Sequence, residues 1–211
     1  MKGSATLVPI LISAALSHAQ SGFESKASKV NAYVQFTIGE LPPQMVFAAE
    51  AMASRIFTEA GVCINWRMGW SKRNREKQPI LIDIASDVAE TSPRDGLAYA
   101  WVFEGVHITI FWDRVKRAAS HGTATSLLAH VLVHEITHIL QGTEHHSMHG
   151  IMKARWTSED IWQMARKPLG FDRRDLGLIQ RGPVIRRAVT DRDRKTDSLI
   201  DSGLRTEPDD R

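Results

Sequence analysis

From Lys29 to Phe36 apolar and polar positions alternate, with Val30, Tyr33, Val34 and Phe36 set out as a β-strand would set them. Pro42 and Pro43 then open a helix. Between Gln44 and Ala60 the apolar positions Val46, Phe47, Ala51, Ile56 and Phe57 recur at helical spacing, and Gly61 stands where a left-handed C-terminal cap is wanted. Val62 to Trp66 and Ile80 to Ile84 read as two further strands, separated by a polar, basic turn from Ser71 to Gln78. After a loop at Ser92 to Gly96, the runs Leu97 to Phe103 and Val106 to Trp112 are strand candidates joined by Glu104 and Gly105, either a hairpin or mere neighbours in sequence. The longest periodic segment, Thr123 to Gln141, places Leu127, Leu128, Val131, Leu132, Ile136, Ile139 and Leu140 around more than one face. A helix apolar most of the way round is central and buried. Gly142 ends it. Ser158, Glu159 and Asp160 resemble a capped start for a helix to about Arg166, and Asp172 with Asp175 opens a last short one.

The two ends differ from this middle. Met1, Lys2, an apolar run from Ala5 to Leu16, and small residues at Ser17 and Ala19 have the layout of a signal peptide over residues 1–19, so an exported, secreted or periplasmic chain is expected. The apolar run is short of the roughly 20 residues needed to cross a bilayer, so no stable membrane insertion is expected. From residue 184 to 211 aromatics vanish and acidic residues balance basic ones, the composition of a disordered, charged tail. One domain over residues 29–182 remains.

A chain of 211 residues with 43% hydrophobic and 24% charged residues can bury its own core. The net charge of +3 is too small an excess for nucleic-acid binding. A single cysteine, Cys63, excludes intramolecular disulfides and cysteine-rich zinc ribbons; between Val62 and Ile64 it reads as a small buried residue. The histidines carry more information: of nine, seven fall between His107 and His146.

Three of these frame the chemistry. His134, Glu135, Ile136, Thr137 and His138 form H-E-x-x-H inside the apolar helix. Histidines four apart lie one turn apart on one face, so both imidazoles can reach one ion while Glu135 stands beside it. Neutral nitrogen ligands suit Zn2+, and a site that keeps one position open lowers the pKa of a bound water whose proton Glu135, as general base, would take. A third ligand is required. Gly142 can turn the chain back toward the ion, so His145 or His146 can supply it, with Glu144 a third candidate. His130, one turn before His134, reads as a packing residue or a support to the ligands.

The stretch His134 to His146, followed by Gly150, Ile151 and Met152, resembles the metzincin zinc peptidases, whose motif is H-E-x-x-H-x-x-G-x-x-H with a later methionine turn. It departs from that motif, because Gly142 comes one residue late and Glu144 occupies the regular third-ligand position. His145 keeps the interval from glycine to histidine, whereas His146 gives the His-Ser pair seen in several metzincins; His146 is preferred and His145 is the alternative. The resemblance implies that Met152 forms the floor under the metal ligands, and that Leu97, Ala98 and Tyr99 lie on an upper edge strand that holds extended peptide. The tyrosine that some metzincins place two residues after the methionine has no counterpart, since Ala154 stands there. Lys153, Arg155 and Trp156 fit either the border of a substrate pocket or a solvated rim.

These readings imply an α+β, zincin-like single domain in which a mixed sheet of about five strands packs on a central active-site helix, with helices at the C-terminal end. The expected function is a monomeric zinc endopeptidase acting on peptide or protein substrates. The alternatives are a zinc amidase on cell-wall or small amides, and a non-catalytic zinc-stabilised binding module in which His145 and His146 both ligate.

Overall fold

The computed structural model describes residues 28–36, 41–69, 79–86, 96–101, 106–119 and 122–182. Residues 1–19, the tail 184–211, the basic turn at 71–78 and His121 lie outside them.

Five strands form one mixed, mostly parallel sheet: β1 (Ser28–Phe36), β2 (Val62–Met68), β3 (Ile80–Ala85), β4 (Ala98–Trp101) and β5 (His107–Phe111), in the order β2-β1-β3-β5-β4. β1 pairs in parallel with β2 and β3, and β3 with β5. β4 turns back antiparallel on β5, with Ala98 opposite Ile110 and Ala100 opposite Ile108, so the hairpin reading of that segment is the one realised. β4 is the edge strand. Leu97 lies just before it, one position outside the strand in which the sequence placed it.

Alternation along the strands sends Val30, Ala32, Val34, Val62, Ile64, Ile80, Ile82, Ile84, Ile108 and Ile110 to one buried face. Helix α1 (Pro43–Glu59) begins with proline at its first position, where the missing N–H is no loss. Its buried stripe of Val46, Ala49, Ala53, Ile56 and Phe57 belongs to the same core. The central α3 (Ala124–Gln141) packs against α1 and the β4–β5 end of the sheet, and residues 126–141 are buried without interruption. Each fully buried leucine on it, such as Leu127, Leu128 and Leu132, stabilises the fold by about 1.5–3 kcal/mol of transfer free energy. α4 (Ser158–Arg166) and a last helix, α5 (residues 173–182), follow.

Three sequence readings need correction. Trp112 does not end a strand but starts α2 (Trp112–Ala118), a short helix that buries Trp112 and Val115 three positions apart. Ser158 does not cap α4. Thr157 does, in a reciprocal capping box with Asp160. Cys63 is exposed, because β2 is the opposite edge of the sheet and the alternation that buries Val62 and Ile64 turns residue 63 outward. No described helix is long and apolar enough to cross a membrane.

Candidate metal centre

His134 and His138 stand one turn apart on α3, only 7% and 6% exposed. A main-chain carbonyl orients each ring through Nδ1: Ile151 O at 2.8 Å from His134 and Thr143 O at 3.0 Å from His138. A carbonyl oxygen only accepts, so Nδ1 carries the proton in both rings and each Nε2 presents a bare lone pair. The two Nε2 atoms face each other at 3.0 Å. Burial above all lowers both imidazoles, to a pKa of about 3 for His134 and about 4 for His138, so neither ring takes a second proton near neutral pH. Opposed lone pairs at that separation repel unless a cation lies between them. The donor set therefore fits a metal ion of zinc's type.

Gly142 completes the geometry. It ends α3 in the left-handed conformation, φ 65°, and donates its N–H to His138 O at 2.9 Å. The reversed chain brings Thr143 O to His138 and then His146 to the pair. One ligand atom from each of His134, His138 and His146 lies within 4.8 Å of the others. The His146 ring sits 5.3 Å from that of His134 and 4.9 Å from that of His138. Neither His145 nor Glu144 belongs to this group, although Glu144 lines the same cleft.

The loop beyond His146 is tied to the ligands from below. Ser147 N–H donates to Met152 O at 2.8 Å, Met152 is fully buried, and its neighbour Ile151 supplies the carbonyl that orients His134. Gly150 is the residue that this turn can hold: its φ is 73°, and a Cβ there would run into Gly170 O. His130 takes no part as a ligand. Its Nδ1 donates to Ser126 O at 2.6 Å and its Nε2 accepts Leu169 N–H at 3.0 Å, so it fastens the segment after α4 to α3.

Glu135 is 9% exposed, and burial pushes its carboxyl up to about 8. It opens, with His134, His138 and His146, into a cleft of about 730 Å³. Leu97, Ala98 and Tyr99 at the edge strand border this cleft, as do Val131, Ile161, Lys153, Arg155 and Trp156. Trp156 meets the His134 ring edge-on, with centroids 5.3 Å apart and planes at 82°. Of the two places its sequence position allowed, pocket border or solvated rim, Trp156 takes the pocket border. What fixes it is Asp160, whose Oδ2 accepts from Lys153 Nζ at 2.6 Å and from Thr157 N–H at 2.7 Å, closing the chain around Trp156.

No family model matches the chain, and the search of curated proteins finds no relative. Among solved structures, the fold is similar to that of the archaemetzincin from Methanopyrus kandleri, with a TM-score of 0.54 and 16% identity, over 74% of this chain and 97% of that one. The fold is thus of archaemetzincin type, and it carries a three-histidine cluster able to hold a metal ion.

Proposed function

We propose that the protein is a zinc-dependent endopeptidase of the metzincin kind, exported after removal of residues 1–19 and working as a monomer. The observation that carries this reading is the convergence of His134, His138 and His146 beside Glu135 in a cleft bordered by an edge strand. The likeness in fold to an archaemetzincin supports it.

Zinc held by these three imidazoles would supply Lewis acidity, toward the proton of a water molecule and toward a substrate carbonyl. The protein's own groups do the rest. Glu135 accepts the water's proton at its carboxylate and returns it to the leaving nitrogen. Burial favours its protonated form, and a neighbouring dication would favour the ionised form that the base role needs. An extended peptide adds to the free side of β4 through main-chain hydrogen bonds at Ala98 and Ala100, while Leu97, whose carbonyl accepts Phe111 N–H across the sheet, and Tyr99, opposite Thr109, border the cleft beside it. Val131, Ile161 and Trp156 form an apolar wall that excludes water from the bond to be cut. Met152 gives the ligands an incompressible floor through the turn that carries Ile151 O.

The non-catalytic module needs a fourth protein ligand from His145, which stands outside the cluster. The test is metal analysis of the purified chain, followed by incubation with peptide pools and with cell-wall fragments, each with and without chelator. One zinc per chain and chelator-sensitive peptide cleavage are expected. Cleavage of wall fragments alone would establish the amidase, and cleavage indifferent to chelator would remove the metal from the mechanism.

A further inference from the structure

The third ligand differs from the other two in how it is held. His134 and His138 are fixed by α3 itself, whereas His146 is exposed and sits on a loop. Both ends of that loop are fastened to α5. At the near end, Gln141 Nε2 donates to Asp175 O at 3.4 Å, and Gly182 approaches Leu140 O so closely that a Cβ there would collide with it. At the far end, Ser147 Oγ donates to Asp175 Oδ1 at 2.8 Å across 28 positions of sequence.

Asp175 has no exposed surface. A carboxylate so buried is costly unless its oxygens are hydrogen-bonded. Its second oxygen accepts Asp172 N–H at 3.2 Å, and its own N–H donates to Asp172 Oδ1 at 2.7 Å, so one residue both caps α5 and holds the residue that follows His146.

We propose that Asp175 is a positioning residue for the metal centre: through Ser147 it sets the approach of the His146 imidazole, and it makes zinc affinity depend on the docking of α5. This rests on the reading of His134, His138 and His146 as zinc ligands, but not on catalysis.

The test compares the zinc dissociation constants of the full chain and its variants by competition with a chromophoric chelator, alongside the visible spectrum of the cobalt-substituted protein. Asp175→Ala should weaken zinc binding about 10- to 100-fold, the range for losing a group that orients a ligand, and should alter the cobalt bands. Asp175→Asn, which keeps an oxygen for Ser147, should recover part of the loss, and adding Ser147→Ala to Asp175→Ala should weaken binding no further. Ile56→Ala, a destabilising change in α1, should leave the constant where it was. A zinc constant within twofold of the wild type in Asp175→Ala, with only the melting temperature lowered, would overturn the proposal. If that variant does not fold, an unchanged constant in Ser147→Ala overturns it instead. A wild-type chain that binds zinc but cuts no peptide would sink the peptidase reading and leave this inference standing; one that binds no zinc would sink both.

Discussion

Replacing Glu135 by glutamine keeps the shape of the side chain and removes its charge, which separates two consequences of burying a carboxyl beside three imidazoles. The first concerns stability. Burial raises this group from 4.5 to about 8, so at pH 7 the unfolded chain holds it ionised while the fold holds it mostly protonated. The resulting destabilisation of the metal-free wild type is nearly absent below pH 4.5 and grows as pH rises toward 8. At pH 7 it comes to about 3 kcal/mol. Glutamine carries no such dependence; any unmet hydrogen bond of its amide costs the same at every pH, and the histidines titrate in both proteins. The stability of Glu135→Gln relative to wild type should therefore rise by about 3 kcal/mol between pH 4.5 and pH 7, read from urea melts of chelator-treated protein. The second consequence concerns rate: with zinc restored, peptide hydrolysis should fall by roughly 100- to 10,000-fold with zinc content unchanged. A stability difference flat across that pH range would refute the desolvation argument, and full retained hydrolysis would falsify the role of Glu135 as base.

Because burial holds the folded His134 and His138 rings near 3 and 4, zinc should stay bound on acidification to about pH 5 and leave as pH nears 4; loss already at the ordinary histidine value of 6.5 would contradict those environments, and zinc content after dialysis at each pH decides. Thr157→Ala removes the capping box of α4 and should cost about 1 kcal/mol in denaturant melts, without weakening zinc binding. Gly142→Ala forces a Cβ into the left-handed cap and should destabilise by roughly 1–2 kcal/mol while loosening the metal, because the turn it strains delivers His146.

The parts of the molecule legible in sequence are those whose signal is local and periodic. α3 announces itself by apolar residues on every side, and H-E-x-x-H puts both imidazoles on one face whatever the tertiary context. The α1 start at Pro43, the alternating strands and the cap at Gly142 are signals of the same kind. α2 was hidden because Trp112 continues the apolar run of β5, and only the spacing of Trp112 and Val115 marks the change of period. The outward turn of Cys63 depends on β2 being an edge strand, which is a fact of sheet order and not of its neighbours in sequence. The same holds at the centre. Spacing alone leaves both His145 and His146 as candidates, and the fold brings only His146 to His134 and His138, on a loop whose next residue, Ser147, is held from a helix 28 positions away. Asp172 and Asp175 showed as a helix start, but nothing in that pair hints that one of them reaches back to the loop.

Hydrogen bonds on the far sides of both rings turn the His134 and His138 Nε2 atoms toward one point, as two neutral nitrogen donors 3.0 Å apart. Any dication of suitable radius that accepts imidazole nitrogen suits such a pair, so the scaffold would discriminate by charge and size more than by element. Supply in the compartment where the chain matures then chooses the occupant. Protein grown in cobalt-rich, zinc-poor medium should emerge carrying cobalt.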